Sequence, residues 1–229
     1  MAVITFAHRG GRAHAPENTI RAFRRALELG AGGLESDVWL SADGHPVLVH
    51  DERFWRGMRR VDVRRETAAE LATLEIPRLV DLFDACGTGY ELSLDLKDPA
   101  SAAATAEVIR RCGVPERSWL CVVGLDLLAE LRRTHPEVRT VHSRRRDKIG
   151  TELERHAATL AGLGVDAMNM HHTDWSAGLV ALFHRFGIRA FAWDVQQVRH
   201  IRTMLRDGVD ALYSDRVDRL VATVSEWCA

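Results

Sequence analysis

The sequence predicts an α/β protein folded as one (β/α)8 TIM barrel with a small insertion after the second strand, and three observations point there. A length of 229 residues suits a single α/β barrel, which runs to roughly 200–250 residues. Eight short apolar runs bounded by turn signals alternate with longer segments of helical periodicity. Five runs end in polar residues, at the strand ends where such a barrel gathers its chemistry. A doubly wound open sheet is the alternative arrangement of the same units.

The first strand, residues 3–8, leads into His8-Arg9-Gly10, and Gly10-Gly11 let the backbone turn sharply behind it. Pro16-Glu17-Asn18-Thr19 reads as a turn and then the cap of a helix over 19–29, with Asn18 or Thr19 capping. The second strand, 33–38, carries Glu35-Ser36-Asp37. Residues 39–80 are too many for one crossover and contain an apolar run at 46–49 and a helix-like 66–74, hence the insertion. The remaining strands fall at 91–96, 119–123, 138–141, 167–169, 189–193 and 211–213. Their helices fall at 100–112, 125–134, 151–163, 176–186, 198–206 and 217–227, and Gly30, Gly113, Gly164, Gly187 and Gly208 sit where helix-ending glycines sit. The whole of 1–229 is expected to be one domain without a linker.

Composition narrows the function classes. With 46% hydrophobic and 28% charged residues, disorder and collagen are excluded. The 31 Lys+Arg against 32 Asp+Glu give a net charge of -1, so no global field favours nucleic acid or an anionic membrane. No run approaches the roughly 18 apolar residues of a spanning helix, and no basic leader precedes the first short apolar run. The expectation is a cytoplasmic protein with no integral membrane segment. Cys86, Cys112, Cys121 and Cys228 form no C-x-x-C pair, which leaves ordinary thiols.

The strand ends carry the chemistry. Glu35 and Asp37 stand at i and i+2, so both carboxylates face one way. Two such charges need a counter-charge, and hard oxygen donors suit Mg2+ or Ca2+. Asp95 and Lys97 repeat the spacing, offering a third ligand beside a fixed positive charge. The bland alternative is a solvated surface strand, against which Gly33-Leu34 and Val38 read as buried. His8 and His50, at strand ends beside these acids, can divide the acid and base roles of a hydrolysis, and Asp51 can hold a loop or an imidazole tautomer. Other histidines, such as His135, His156, His184 and His200, read as structural. Arg9 brings a planar fork suited to phosphate or carboxylate, with an ion pair to Glu17 or Glu35 as its alternative. The basic run 144–148 reads first as a solvated loop, and otherwise as a reach toward an anionic head group. His171 and His172 read equally as pocket rim or helix cap.

His8-Arg9-Gly10, Pro16-Glu17-Asn18-Thr19, Glu35-x-Asp37, His50-Asp51 and Ile76-Pro77-x-Leu79 occur in an order that resembles the glycerophosphodiester phosphodiesterase family. Leu94-Asp95-Leu96-Lys97, Ala192-Trp193-Asp194-Val195 and the run 208–216 resemble its later blocks, so the resemblance spans almost the whole chain. It implies a (β/α)8 barrel that hydrolyses a small glycerophosphodiester to an alcohol and sn-glycerol 3-phosphate. It further implies one divalent cation, Mg2+ or Ca2+, at Glu35, Asp37 and Asp95, with His8 and His50 as the acid–base pair. Arg9 and Lys97 would contact phosphate, and Trp193 would wall the pocket.

Three departures mark this chain. The family usually has Glu where Asp95 stands, a Thr/Gly-rich segment where residues 52–60 stand, and Ser-Phe where Val123-Gly124 stands. The nearest rival is a lysophospholipase D or sphingomyelinase D-like enzyme on the same barrel. A catalytically weak barrel that binds phosphodiesters or lipids is a third reading.

Overall fold

The computed structural model describes residues 3–228. Its elements in chain order begin with β1 (Ile4–Ala7), α1 (Ile20–Glu28) and β2 (Gly33–Leu40). The insertion follows, with β3 (Pro46–Leu48), β4 (Arg53–Arg56), β5 (Arg59–Asp62) and α2 (Ala68–Ala72), before α3 (Leu79–Cys86) and β6 (Glu91–Leu96). Then come α4 (Ala102–Arg111), β7 (Ser118–Val122), α5 (Leu125–Thr134), β8 (Arg139–Ser143), α6 (Leu153–Gly162) and β9 (Ala167–His171). The chain ends with α7 (Ala177–Arg185), β10 (Arg189–Trp193), α8 (Val198–Asp207), β11 (Ala211–Ser214) and α9 (Val217–Cys228).

Strands β1, β2 and β6 to β11 pair in parallel, and the β1–β2 contact closes the ring, so the open-sheet alternative is excluded. Strand side chains alternate between faces, and the two faces bury different material. Leu34, Leu92, Leu94, Leu120, Met168 and Leu212 face outward and pack with the surrounding helices. Phe6, Trp119, Phe191 and Tyr213 fill the barrel interior, Phe6 stacking on Tyr213 at 4.7 Å. Space there is tight: a Cβ on Gly33 would stand 2.6 Å from the Phe6 ring and 2.8 Å from the Glu91 carbonyl oxygen.

Two elements were not anticipated. The insertion ends close to its expected bound, and there α3, for which no helix was read, begins and packs beside α1 as the barrel's second helix. The strands β4 and β5 form an antiparallel hairpin. The helix expected over 66–74 is only α2, opened by a reciprocal cap between Thr67 and Glu70. The insertion carries its own small core of Val47, Val61, Val63, Ala68, Leu71 and Ile76. It joins the barrel where β3 runs antiparallel to the end of β2, Val38 opposite Leu48, and this join brings His50 to the barrel mouth. No helix among the described residues is long and apolar enough to cross a membrane.

Candidate active site

All eight residues singled out in the sequence, His8, Arg9, Glu35, Asp37, His50, Asp95, Lys97 and Trp193, line one cleft of about 330 Å3 at the ends of the strands. The parity rule explains most of the convergence. Residues 35 and 37 on β2 and 95 on β6 have the inward parity, and register sets Asp37 opposite Asp95. His50 arrives from the insertion instead.

Each histidine has a carboxylate on its Nδ1. His8 Nδ1 lies 2.7 Å from Asp215 Oδ1, and Asp215 is itself held by Arg12 Nε at 2.9 Å and Gln196 Nε2 at 3.1 Å. Burial pulls the His8 imidazole down, but Glu35 and Asp215 outweigh it and leave His8 raised above its ordinary value. His50 Nδ1 lies 2.7 Å from Asp51 Oδ1, and the Trp39 indole N–H donates to the His50 carbonyl at 3.0 Å. Both pairs leave Nε2 as the nitrogen available to the cleft, the arrangement that fixes an imidazole's tautomer and orientation.

The three carboxylates are crowded. Glu35 is 6% exposed, and its carboxylate accepts from the Arg9 backbone N–H at 2.7 Å. Burial, with Asp37 and Asp95 nearby, pushes Glu35 up to about 7 against the opposing pull of His8. Burial likewise raises Asp95, although Lys97 opposes it. Lys97 Nζ lies 2.6 Å from Asp95 Oδ2 and 3.2 Å from Asp37 Oδ1. The donor set is all hard oxygen, three carboxylates crowded enough to raise one another, so it fits a divalent cation of the Mg2+ or Ca2+ type.

Arg9 makes the ion pair to Glu17 that the sequence offered as its alternative role. It donates to Glu17 at 3.1 and 3.2 Å, and its Nε lies 3.4 Å from Asp37 Oδ2. Its backbone at φ 50 turns the chain toward Gly10, where a Cβ would meet the Ala22 Cβ at 2.9 Å.

Several sequence readings are corrected here. Thr19 alone caps α1, accepting from the Ala22 N–H. Asn18 is instead a buried part of the site, at φ 57, accepting from the Ser36 hydroxyl at 2.8 Å and donating to Asp37 at 3.3 Å. Asp215 belongs to the run 208–216, where the sequence gives it no role of its own, and its signal is a polar residue two positions after the inward Tyr213. The basic run is exposed from Arg145 to Lys148, as a solvated loop is, but Arg144 is half-buried, and Arg144 and Arg145 both line the cleft. His171 caps the short turn at residues 172–174. It also forms, with His172 and Asp194, a group whose ligand atoms lie within 4.8 Å of one another.

The profile of the Glycerophosphoryl diester phosphodiesterase family matches residues 8–219. A glycerophosphodiester phosphodiesterase of Caldanaerobacter subterraneus subsp. tengcongensis is 26% identical, the alignment covering 98% of each chain. The solved glycerophosphodiester phosphodiesterase of Thermotoga maritima superposes with a TM-score of 0.86 at 26% identity, over 97% of this chain and 98% of that one. The fold is also that of an Oleispira antarctica phosphodiesterase solved with the product sn-glycerol-3-phosphate, at TM-score 0.84 and 22% identity, over 97% of this chain and 96% of that one.

Proposed function

The chain belongs to the glycerophosphoryl diester phosphodiesterase family, and from that premise we propose that it hydrolyses small glycerophosphodiesters to an alcohol and sn-glycerol 3-phosphate. Residues 1–229 act as one catalytic domain in the cytoplasm. The observation that carries the reading is the pair of carboxylate-held imidazoles, His8–Asp215 and His50–Asp51, in one cleft with Glu35, Asp37 and Asp95.

A phosphodiester resists attack because its charge repels nucleophiles and its leaving alkoxide is poor. In the proposed reaction one imidazole takes the proton of the attacking hydroxyl, which we assign to the glycerol 2-hydroxyl. The other gives its proton to the departing alcohol oxygen as the O–P bond to that alcohol breaks and the new O–P bond forms. Water then opens the cyclic phosphate by the reverse division of roles. Glu35, Asp37 and Asp95 would hold one Mg2+ or Ca2+, which when bound neutralises phosphoryl charge. Arg9 and Lys97, tethered to those carboxylates, bring cationic hydrogen-bond donors to the phosphoryl oxygens. Trp193 walls the pocket.

A second reading is favoured by the hairpin beside His50, where Trp55 is 68% and Met58 98% exposed. Such side chains suit a lipid-borne diester, as in a lysophospholipase D-like enzyme. The test is to incubate the protein with glycerophosphocholine, glycerophosphoethanolamine and lysophosphatidylcholine, each with Mg2+, Ca2+ or EDTA. Metal-dependent release of sn-glycerol 3-phosphate from the first two supports the first reading. Release of choline from the lysolipid alone supports the second.

A further inference from the structure

The cations at the carboxylate side of the cleft already have partners: Arg9 lies against Glu17 and Asp37, and Lys97 against Asp95 and Asp37. On the facing wall Arg145 is paired with Asp174 at 2.7 Å. Arg144 differs. Its side chain has no hydrogen-bond or ion-pair partner among the described residues, and its Nε is buried. His142 and His156, near this guanidinium, are both held below the usual imidazole range, by burial first, with the Arg144 charge adding to the effect in each. A partly buried cation left without a counter-charge is costly unless something else supplies one.

A second orphan lies next to it. Asn169, 6% exposed, gives its Nδ2 to Ser143 at 3.2 Å and leaves its Oδ1 buried and without a partner. Asn169 is opposite Ser143 in the β8–β9 register, and the Arg144 N–H donates to the Asn169 carbonyl at 3.0 Å. Both residues line the cleft. In the closed strand order β8 and β9 stand diametrically across the barrel from β1 and β2, which lead into His8 and carry Glu35 and Asp37. A guanidinium and an amide oxygen without protein partners among the described residues, on neighbouring strand ends that line one cleft, match an anionic oxygen with a nearby hydroxyl.

We propose that Arg144 and Asn169 form a second substrate-binding wall, the guanidinium taking an anionic oxygen of the phosphodiester and the amide oxygen a hydroxyl. This rests on reading the cleft as a phosphodiesterase site. The anionic oxygen belongs either to the scissile phosphate or to an acidic head group, and substrate choice separates the two.

The experiment compares wild type with Arg144→Met, which keeps the aliphatic stem, and with Asn169→Ala. Inorganic phosphate and sn-glycerol 3-phosphate are titrated calorimetrically, and kcat/KM is measured on glycerophosphocholine and glycerophosphoserine. Loss of a charge-assisted contact is expected to weaken the affected step about tenfold or more. If Arg144→Met weakens phosphate binding and both kcat/KM values alike, the scissile phosphate is the partner. If the loss is confined to glycerophosphoserine, the partner is the head-group carboxylate. Asn169→Ala is expected to weaken sn-glycerol 3-phosphate more than inorganic phosphate. Ligand-free Arg144→Met is expected to melt at or above the wild-type temperature, because the cation has no protein partner to lose. Affinities and kcat/KM values all within twofold of wild type would overturn the assignment, as would a drop of several degrees in melting temperature. Phosphate binding that depends on Arg144 in a protein that cleaves neither diester would sink the proposed function and leave the binding wall standing.

Discussion

Replacing Asp215 by asparagine is expected to cost about 10–100-fold in kcat/KM while the barrel stays folded. Asp215 Oδ1 accepts from His8 Nδ1 at 2.7 Å, which keeps the proton on Nδ1 and the lone pair on Nε2. A charge-assisted bond of this kind contributes about 1.5–3 kcal/mol, and each 1.4 kcal/mol is tenfold in tautomer population. Asparagine removes the charge and can present its NH2 to the ring, which favours the opposite tautomer. The equivalent change at Asp51 is expected to cost under tenfold, because that carboxylate is 66% exposed and water can replace it. The assay is steady-state release of sn-glycerol 3-phosphate, with melting temperatures to confirm folding. An Asp215→Asn enzyme within twofold of wild type would refute the role given to the pair.

Three further outcomes follow from the geometry. Asn18→Gly keeps the φ 57 backbone but deletes the amide bonded to Ser36 and Asp37; a loss of about 1–3 kcal/mol in urea unfolding is expected, and no loss would count against the network. Gly33→Ala forces a Cβ to 2.6 Å from Phe6 and is expected to destabilise by about 1–3 kcal/mol, read as a lower melting temperature. The buried His142 is depressed to about 4, by burial first and then by His156, while the unfolded chain protonates near 6.5. Its contribution is therefore complete above about pH 6.5 and is lost as pH falls toward 4, about 2 kcal/mol by pH 5; His142→Gln is expected to flatten that part of the urea-midpoint profile.

The barrel was legible because each strand is a local apolar run, and the two carboxylates on β2 share a face by parity alone. The β4–β5 hairpin was not, since Phe54 and Trp55 sit among arginines with no clean alternation. Cross-strand contacts such as Arg53 with Asp62 at 2.9 Å accompany a pairing that no periodicity announces. The helix α3 went unread because it is short and begins at the insertion's end; it starts just after Pro77, with Asp81 accepting from the Arg78 N–H. Asp215 lies 207 residues from the histidine it holds, so only the closed ring brings them together. Arg144 looked like one charge in a solvated run, and nothing in the sequence tells it from Arg145, which pairs with Asp174, as the residue without a partner among the described residues.

The central claim is that the cleft's two imidazoles carry acid–base catalysis of phosphodiester hydrolysis. Its most direct test is turnover of glycerophosphocholine by wild type, His8→Ala and His50→Ala, each shown folded by its melting temperature and supplied with saturating Mg2+ or Ca2+. Loss of about 10²–10⁴ in kcat for each variant is the expected result. Turnover of either variant at the wild-type rate would contradict the account.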